Sequence, residues 1–295
     1  MWLLFAVIGN VLWSISDISQ SMIVHRYEKD PISISWIQSI FEIVLLATAA
    51  IFMDVQSEWI LQFAVAGVFG YLGFIMFFFV IHRVDVSVLN AAWAFQAVFI
   101  CAASFVFFQE TWSISQSIGA ILIFIGVLIL SYWHKHVSIL HTILLLSGLG
   151  LLYAPFFVIQ KAALLNGESI YATFFWPAFM AKIIAFTFPL FRNTCRKNIY
   201  RMLPRINIWF LLLNVIATFS SILGFFFMTN AYAVGLASLV AVTENMQPFC
   251  VIFLAWLVAF LVPKCAPREL LTIQSVQVKL VSFLIVFVGL GLLSV

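Results

Sequence analysis

A stripe of polar residues in the first apolar run of the sequence has the types and spacing of a ligand-binding surface. Its members recur at steps of three and four residues and so share one helix face: Asn10, Trp13, Ser14, Asp17, Gln20 and Ser21. Apolar surroundings give such a face no hydrogen-bond partner, so we expect it to contact protein or water. It forms either a cavity wall on which Asp17 binds a cation or proton, or hydrogen bonds that only hold helices together.

Glu42 is a carboxylate in the middle of the otherwise almost wholly apolar run 36–52. A charge in such surroundings is costly unless it is paired. Lys182 is a candidate partner because it has the corresponding position in the second half of the chain. If the two meet, they form an ion pair that makes and breaks during function, or a purely structural one. If they do not meet, Glu42 is a candidate proton site.

The segment "TENMQP" places a carboxylate beside a predicted helix break. Glu244 and Gln247 are three residues apart and share a face, and Pro248 removes a backbone donor. A broken helix next to a carboxylate is a plausible substrate contact, and a kink that serves only packing is the alternative.

Further candidates for substrate binding are polar and aromatic residues in other apolar runs. They are Trp36, Asn90, Trp93, Gln96, Tyr153, Gln160 and Trp176. Six aromatic residues, clustered, would form a cation–π cage for an organic cation: Trp13, Trp36, Trp93, Tyr153, Trp176 and Tyr232. Packing of the helices or an interfacial aromatic belt is the alternative. The coupling candidates are Asp17, Glu42 and Glu244.

Motifs of enzymes and of cofactor sites are missing from the sequence. It has no GxSxG, P-loop, HExxH or dinucleotide-binding glycine pattern. The four cysteines are far apart, and the cluster His134, His136 and His141 fits headgroup contact better than a metal site. We therefore expect no catalysis, cofactor or metal, and a net charge of +3 is too small to indicate nucleic acid.

Composition places these residues in a lipid bilayer. The 295 residues are 65% hydrophobic and 8% charged, with a mean hydropathy of +1.16, whereas soluble domains have about 25% charged residues. A membrane-spanning helix needs about 20 apolar residues. The sequence predicts an all-α integral membrane protein with ten such runs: 2–24, 31–53, 58–81, 86–108, 115–133, 138–161, 169–191, 207–232, 235–262 and 272–294.

The distribution of basic residues predicts the orientation. Of the fourteen Lys and Arg residues, all except Lys161 and Lys182 lie in the loops after odd-numbered runs, including the long loop 192–205, or, for Lys279, in the first part of the run that follows the loop after run 9. These loops are expected in the cytoplasm. Both termini are then on the side opposite the cytoplasm. We expect the protein in the plasma membrane or in the inner membrane of a bacterium.

The two halves of the chain, 1–136 and 137–295, form an internal repeat of five runs each. Matched residues are Trp13 with Tyr153, Gln20 with Gln160, Trp36 with Trp176, Glu42 with Lys182, Gly73 with Gly224, and Gln96 with Gln247. The offset between partners grows only in the two longest loops of the second half. Since five is odd, the second copy enters the membrane from the other side, as in secondary transporters with inverted repeats.

Two segments resemble the EamA-type branch of the drug/metabolite transporter superfamily. They are "VGLASLVAVTENMQPF" (234–249) and "FVFFQETWSISQSIGAILIFIGVLIL" (105–130), the latter through Glu110, Gln116, Gly119 and Gly126. The resemblance implies ten spans and a secondary transporter of a small organic metabolite, with proton or ion coupling or facilitated exchange. The expected partners are a small-molecule substrate and the bilayer.

Several alternatives stay open on the sequence alone. A flippase for lipids or lipid-linked sugars is one, and a membrane-embedded enzyme or accessory subunit is another. The protein is either a monomer or a homodimer. Glycines in runs 5 and 10 favour close helix contact, within one chain or between two: Gly119, Gly126, Gly289 and Gly291.

Overall fold

The computed structural model describes residues 1–82, 86–89, 92–132, 139–261 and 273–293, and these residues are helical with no β-strand. The α-helices are α1 (Trp2–Arg26), α2 (Pro31–Ala50), α3 (Ile60–Ile81), α4 (Val86–Leu89), α5 (Ala92–Phe107), α6 (Ile114–Tyr132), α7 (Ile139–Leu165), α8 (Ile170–Thr187), α9 (Asn193–Met202), α10 (Ile208–Val234), α11 (Ala237–Thr243), α12 (Gln247–Leu261) and α13 (Ile273–Leu293).

Local signals in the sequence account for where several helices begin. The carboxylate of Asp30 accepts a hydrogen bond from the Ser33 amide ahead of α2, whose first residue is Pro31. Proline suits this position because its missing N–H has no partner in the first turn. Ser169 caps α8 in the same way. The left-handed backbone of Gly167 (φ 87°) turns the chain between α7 and α8.

Within the residues that the structure describes, seven segments are long and apolar enough to cross a membrane. They are Trp2–Arg26, Pro31–Ala50, Ile60–Ile81, Leu144–Leu165, Ile170–Phe191, Ile208–Val234 and Ala237–Leu261. Three shorter apolar helices cover the other predicted runs: Ala92–Phe107, Ile114–Gly126 and Leu280–Leu293. The all-α, multi-pass architecture expected from the sequence is confirmed.

The loop 192–205 contains a short helix that the sequence analysis missed. Helix α9 buries Cys195, Ile199 and Met202 and exposes Arg196 and Lys197. The expectation of a plain loop was wrong because only apolar runs of spanning length were sought, and an amphipathic ten-residue helix has none.

Contacts between loops define the two ends of the bundle. At one end, the indole N–H of Trp176 donates to the Val55 carbonyl at 2.7 Å, and the Glu110 carboxylate accepts from the Ala237 amide at 2.7 Å. At the other end, the rings of Tyr27 and Phe210 pack edge to face. The segment after α2 therefore lies against α8, the segment after α5 lies against the start of α11, and the segment before α2 lies against the start of α10.

Glycines bring helix pairs into close contact. A Cβ added at Gly119 would lie 2.6 Å from the Gly289 carbonyl oxygen, and one at Gly126 would lie 2.6 Å from Val286 Cγ2. Such distances leave no room for a side chain. These glycines therefore pack α6 against α13 within one chain, which is one of the two alternatives that the sequence left open.

Candidate functional site

A cavity lies in the middle of the bundle between the two halves of the chain. Its volume is about 140 Å³, measured as the space open to the centre of a water molecule. Nine residues proposed from the sequence as stripe or substrate-binding residues line it: Trp13, Asp17, Gln20, Glu42, Trp93, Gln96, Tyr153, Glu244 and Gln247. They come from α1, α2, α5, α7 and the segment that joins α11 to α12, so the fold assembles them from distant parts of the chain.

Two glutamines bind carboxylates across the halves of the chain. Gln96 Nε2 donates to Glu244 Oε2 at 2.6 Å, and Gln247 Nε2 donates to Asp17 Oδ2 at 2.7 Å. Gln96 and Gln247 are partners in the sequence repeat, and each donates to a carboxylate of the other half, although the two carboxylates are not themselves repeat partners. A carboxylate only accepts, and each amide must therefore turn its nitrogen to the carboxylate and its oxygen away.

The helix break predicted from "TENMQP" is confirmed. Helix α11 ends at Thr243, one 3₁₀ turn spans Glu244–Met246, and α12 begins at Gln247. The Glu244 side chain is 1% exposed and also accepts a hydrogen bond from the Tyr232 hydroxyl at 3.0 Å. The break thus places a buried carboxylate, with neutral donors around it, on the cavity wall.

Glu42 and Lys182 meet. Glu42 Oε2 lies 2.7 Å from Lys182 Nζ, with side-chain exposures of 2% and 14%. Lys182 Nζ also lies 3.8 Å from the centre of the Phe74 ring, in cation–π contact. The sequence left this meeting open, and the structure resolves it as a buried ion pair between repeat partners on the cavity wall.

Aromatic rings form much of the remaining wall. Trp93 stacks on Phe77, with 6.5 Å between ring centroids, and meets Tyr153 edge to face at 5.5 Å. Trp13 packs edge to face on Phe157 at 6.1 Å. These side chains give the cavity flat apolar faces between its polar groups.

The other aromatic candidates lie away from the cavity. Trp36 stacks on Phe186 at 5.9 Å, and Trp176 is tied to Val55 at one end of the bundle. Tyr232 stacks on Phe157 and reaches the site only through Glu244. The described residues therefore bring three of the six proposed cage residues to the wall.

Two polar candidates of α1 hold the broken helix rather than line the cavity. Asn10 Nδ2 donates to the Thr243 carbonyl at 3.2 Å, and Ser14 Oγ donates to the Gln247 carbonyl at 3.4 Å. The Thr243 carbonyl lies at the end of α11 and the Gln247 carbonyl in the first turn of α12, so the two contacts flank the interruption. Asn10 and Ser14 thus fix the position of Glu244 and Gln247.

The last two candidates are Gln160 and Asn90. Gln160 is buried and accepts a hydrogen bond from the Thr229 hydroxyl at 3.5 Å, outside the cavity wall. Asn90 lies outside the described residues.

Sequence reasoning missed two buried ions that hold the junction of α10 and α11. Lys161 Nζ donates to the carbonyls of Tyr232 (2.9 Å) and Gly235 (2.8 Å). Glu110 accepts from the amides of Ala237 (2.7 Å) and Ser238 (3.0 Å). Each charge complements the helix dipole at that terminus. The isolated Lys161, apart from the basic loops, was the available signal.

No group of three or more His, Cys, Asp or Glu side chains that could hold a metal ion occurs in the part of the chain that the structure describes. His134 and His136 lie outside the described residues, as does the side chain of His141.

A family model matches the first part of the chain. Residues 1–132 match the model of the EamA-like transporter family. This confirms, over that part of the chain, the resemblance predicted from the sequence, and it is consistent with the drug/metabolite transporter superfamily. Together with the apolar helices, it makes the chain an integral, multi-pass membrane protein.

Solved structures share the fold. One, described only as "Crystal structure of protein", superimposes with a TM-score of 0.68 at 11% identity, covering 99% of this chain and 94% of that one. It is among 28 chains that match. At this identity the similarity establishes the fold alone. No curated protein matches the sequence.

Proposed function

We propose that the protein is a secondary transporter that moves a small organic molecule by alternating access. The observation that carries this proposal is the cavity between the halves, bridged by polar pairs that each join one half to the other. Glu42 with Lys182, Gln96 with Glu244 and Gln247 with Asp17 are the three pairs. A site between two rocking halves needs contacts of this kind, which hold one state and release in another.

Mirrored packing supports two inverted repeats of five spans, 1–136 and 137–295. A Cβ at Gly73 would lie 2.7 Å from the Tyr153 ring, and one at Gly224 would lie 2.6 Å from the Trp13 ring. Because both glycines and both aromatic residues are repeat partners, the same contact is made in each direction. Helix α1 packs against α10, and α7, which corresponds to α1 in the repeat, packs against α3, which corresponds to α10.

The loop contacts support ten crossings in alternating directions. The connection between runs 2 and 3 meets that between runs 6 and 7, where the Glu58 amide donates to the Glu168 carboxylate at 3.2 Å, and the connection between runs 4 and 5 meets that between runs 8 and 9 through Glu110 and Ala237. With the basic loops in the cytoplasm, five crossings for each repeat invert the second copy. The substrate would then reach the cavity from either side in turn.

The three carboxylates have different parts in this mechanism. Glu42 is held by an ammonium group, so we assign it to the contact between the halves. Gln96 and Tyr232 hold Glu244, and Gln247 holds Asp17. These donors are neutral and leave the carboxylate charge in place. Asp17 and Glu244 are therefore the sites that we assign to a coupling cation, a proton or a charged substrate.

Sidedness tests the inverted repeat. Lys29 and Asn166 are exposed at the two ends of the bundle, so single cysteines at these positions, in a cysteine-free background, should react with a membrane-impermeant maleimide from opposite sides. Reaction of both from the same side would contradict the inversion.

Flux tests transport. Purified protein would be screened by thermal shift with amino acids, amines, nucleosides and sugars, and uptake of each stabilising compound would be measured in proteoliposomes. Asp17→Asn and Glu244→Gln should each lower the flux. The proposal fails if no stabilising compound crosses the membrane, or if labelled lipid is flipped instead.

A further inference from the structure

Helix α9 belongs to a connection that is held at the membrane surface. The segments on either side of it, Ile170–Phe191 and Ile208–Val234, are both long and apolar enough to cross a membrane. The connection 192–207 therefore begins and ends at one face of the bilayer, and ten of its residues form α9. A connection this short keeps the exposed side chains of α9 near the lipid headgroups.

The exposed side of this connection is basic. Its cations, which together we call the basic surface, are Arg192, Arg196, Lys197 and Arg201, all exposed. The stretch 169–243 contains no Asp or Glu. Within the described part of the chain, none of the four cations has a carboxylate partner, and Arg196 donates instead to the neutral side chain of Asn193. The protein thus leaves the charge of the basic surface for another molecule to neutralise.

Exposed apolar side chains border the basic surface. Phe191 and Ile208, at the ends of the two spans, are 89% and 70% exposed, and Tyr200 of α9 is 69% exposed. Water solvates such side chains poorly, whereas the boundary between headgroups and acyl chains accommodates them. Basic side chains next to aromatic and aliphatic ones are typical of helices that bind an anionic membrane surface. A soluble acidic protein would match the charge but not these apolar neighbours.

The buried face of α9 connects the basic surface to the helices of the cavity. It packs against α2 and against the 3₁₀ turn Phe188–Phe191 that follows α8. Helix α2 carries Glu42 and α8 carries Lys182, the two members of the buried ion pair. A molecule that binds α9 in this position binds the folded bundle, and it should stabilise the fold by mass action.

We propose that the basic surface of α9 binds the phosphate groups of anionic phospholipids in the adjoining leaflet. Guanidinium groups donate to phosphate oxygens through charge-assisted hydrogen bonds, and clusters of basic residues beside a span are attracted to anionic lipid. Phosphatidylcholine carries the same phosphate but cancels its charge with a quaternary ammonium group, so it should bind more weakly. This inference goes beyond the proposed function and does not depend on transport.

A lipid titration of the full-length protein in a nonionic detergent tests the proposal without any variant. Phosphatidylglycerol and phosphatidylcholine with identical acyl chains would be added separately, and the melting temperature would be measured at each concentration. We expect phosphatidylglycerol to raise the melting temperature at a half-saturating concentration at least tenfold below that of phosphatidylcholine. Equal effects of the two lipids overturn the proposal.

Salt and an acidic polypeptide test the nature of the contact. The effect of phosphatidylglycerol should decrease as salt rises from about 0.01 M to about 1 M, because the Debye length falls from about 30 Å to about 3 Å. An effect that salt leaves unchanged overturns the role of the charges. Polyglutamate at an equal concentration of negative charge should raise the melting temperature less than phosphatidylglycerol does. An equal or larger effect of polyglutamate overturns lipid as the occupant.

A charge-removing variant and a neutral control locate the site on α9. The combined variant Arg196→Gln, Lys197→Gln and Arg201→Gln should raise the half-saturating concentration of phosphatidylglycerol at least tenfold, since each basic residue near an anionic surface strengthens binding by about fivefold. Thr194→Gln, an exposed change on the same helix that removes no charge, should leave it unchanged. An unchanged response of the combined variant, or an equal loss in Thr194→Gln, overturns the assignment to the basic surface. Melting temperatures without lipid that match the wild type verify that both variants fold.

Discussion

Lys182→Met should destabilise the protein because it leaves Glu42 buried without its ionic partner. Glu42 Oε2 and Lys182 Nζ are 2.7 Å apart. At an effective dielectric constant of about 20, two unit charges at this distance attract by roughly 6 kcal/mol. The lost hydration of both ions offsets much of this attraction in the wild type. The variant keeps the dehydrated carboxylate and loses the attraction, so we expect a cost of about 3–5 kcal/mol.

Glu42→Gln should cost less than Lys182→Met. The Lys182 side chain is 14% exposed against 2% for Glu42, so the ammonium group can regain some hydration when the carboxylate is removed. It also keeps its contact with the Phe74 ring. The double variant should recover at least half of the loss seen in Lys182→Met, because replacing both ions leaves no buried charge.

Denaturation in mixed detergent micelles would measure these free energies, with the wild type, both single variants and the double variant forming one cycle. Lys197→Met is the matched control, since Lys197 is exposed on α9 and its loss should change stability by less than about 0.5 kcal/mol. The reasoning is refuted if Lys182→Met costs no more than the control, or if adding Glu42→Gln to it brings no recovery.

Three further predictions test packing, capping and coupling. Gly119→Ala should destabilise the protein by about 1–3 kcal/mol, because the added Cβ would lie 2.6 Å from a carbonyl oxygen. Gly148→Ala is the matched control: nothing lies within 4 Å of its added Cβ, so it should stabilise the protein by up to about 1 kcal/mol. The same denaturation assay measures both variants. Glu110→Gln should lower the free energy of unfolding by about 2 kcal/mol, since the carboxylate accepts hydrogen bonds from two backbone amides of α11. An unchanged free energy of unfolding would contradict the capping role of Glu110. Asp17→Asn and Glu244→Gln should remove the pH dependence of substrate flux in proteoliposomes; unchanged flux and pH dependence in both would disprove the coupling roles.

The sequence determined the class of protein and most of the helices. Apolar runs of spanning length leave few alternatives to membrane helices, because the bilayer offers backbone groups no hydrogen-bond partners. The break beside Glu244 was also readable, since Pro248 removes a backbone donor and does so in any surroundings. Helix α9 was missed because its basic, amphipathic sequence resembles a loop when only hydropathy is considered.

Repeat matching identified which residues correspond, but only the tertiary structure decided which of them meet. Glu42 reaches its own partner, Lys182, whereas Gln96 and Gln247 each bind a carboxylate of the other half and not one another. Trp36 is matched with Trp176 in the same repeat alignment, and yet it lies away from the cavity. The reason is geometric: spacing along a helix fixes which residues share a face, while the rotation and crossing of neighbouring helices, set by close contacts such as that at Gly224, decide what that face touches.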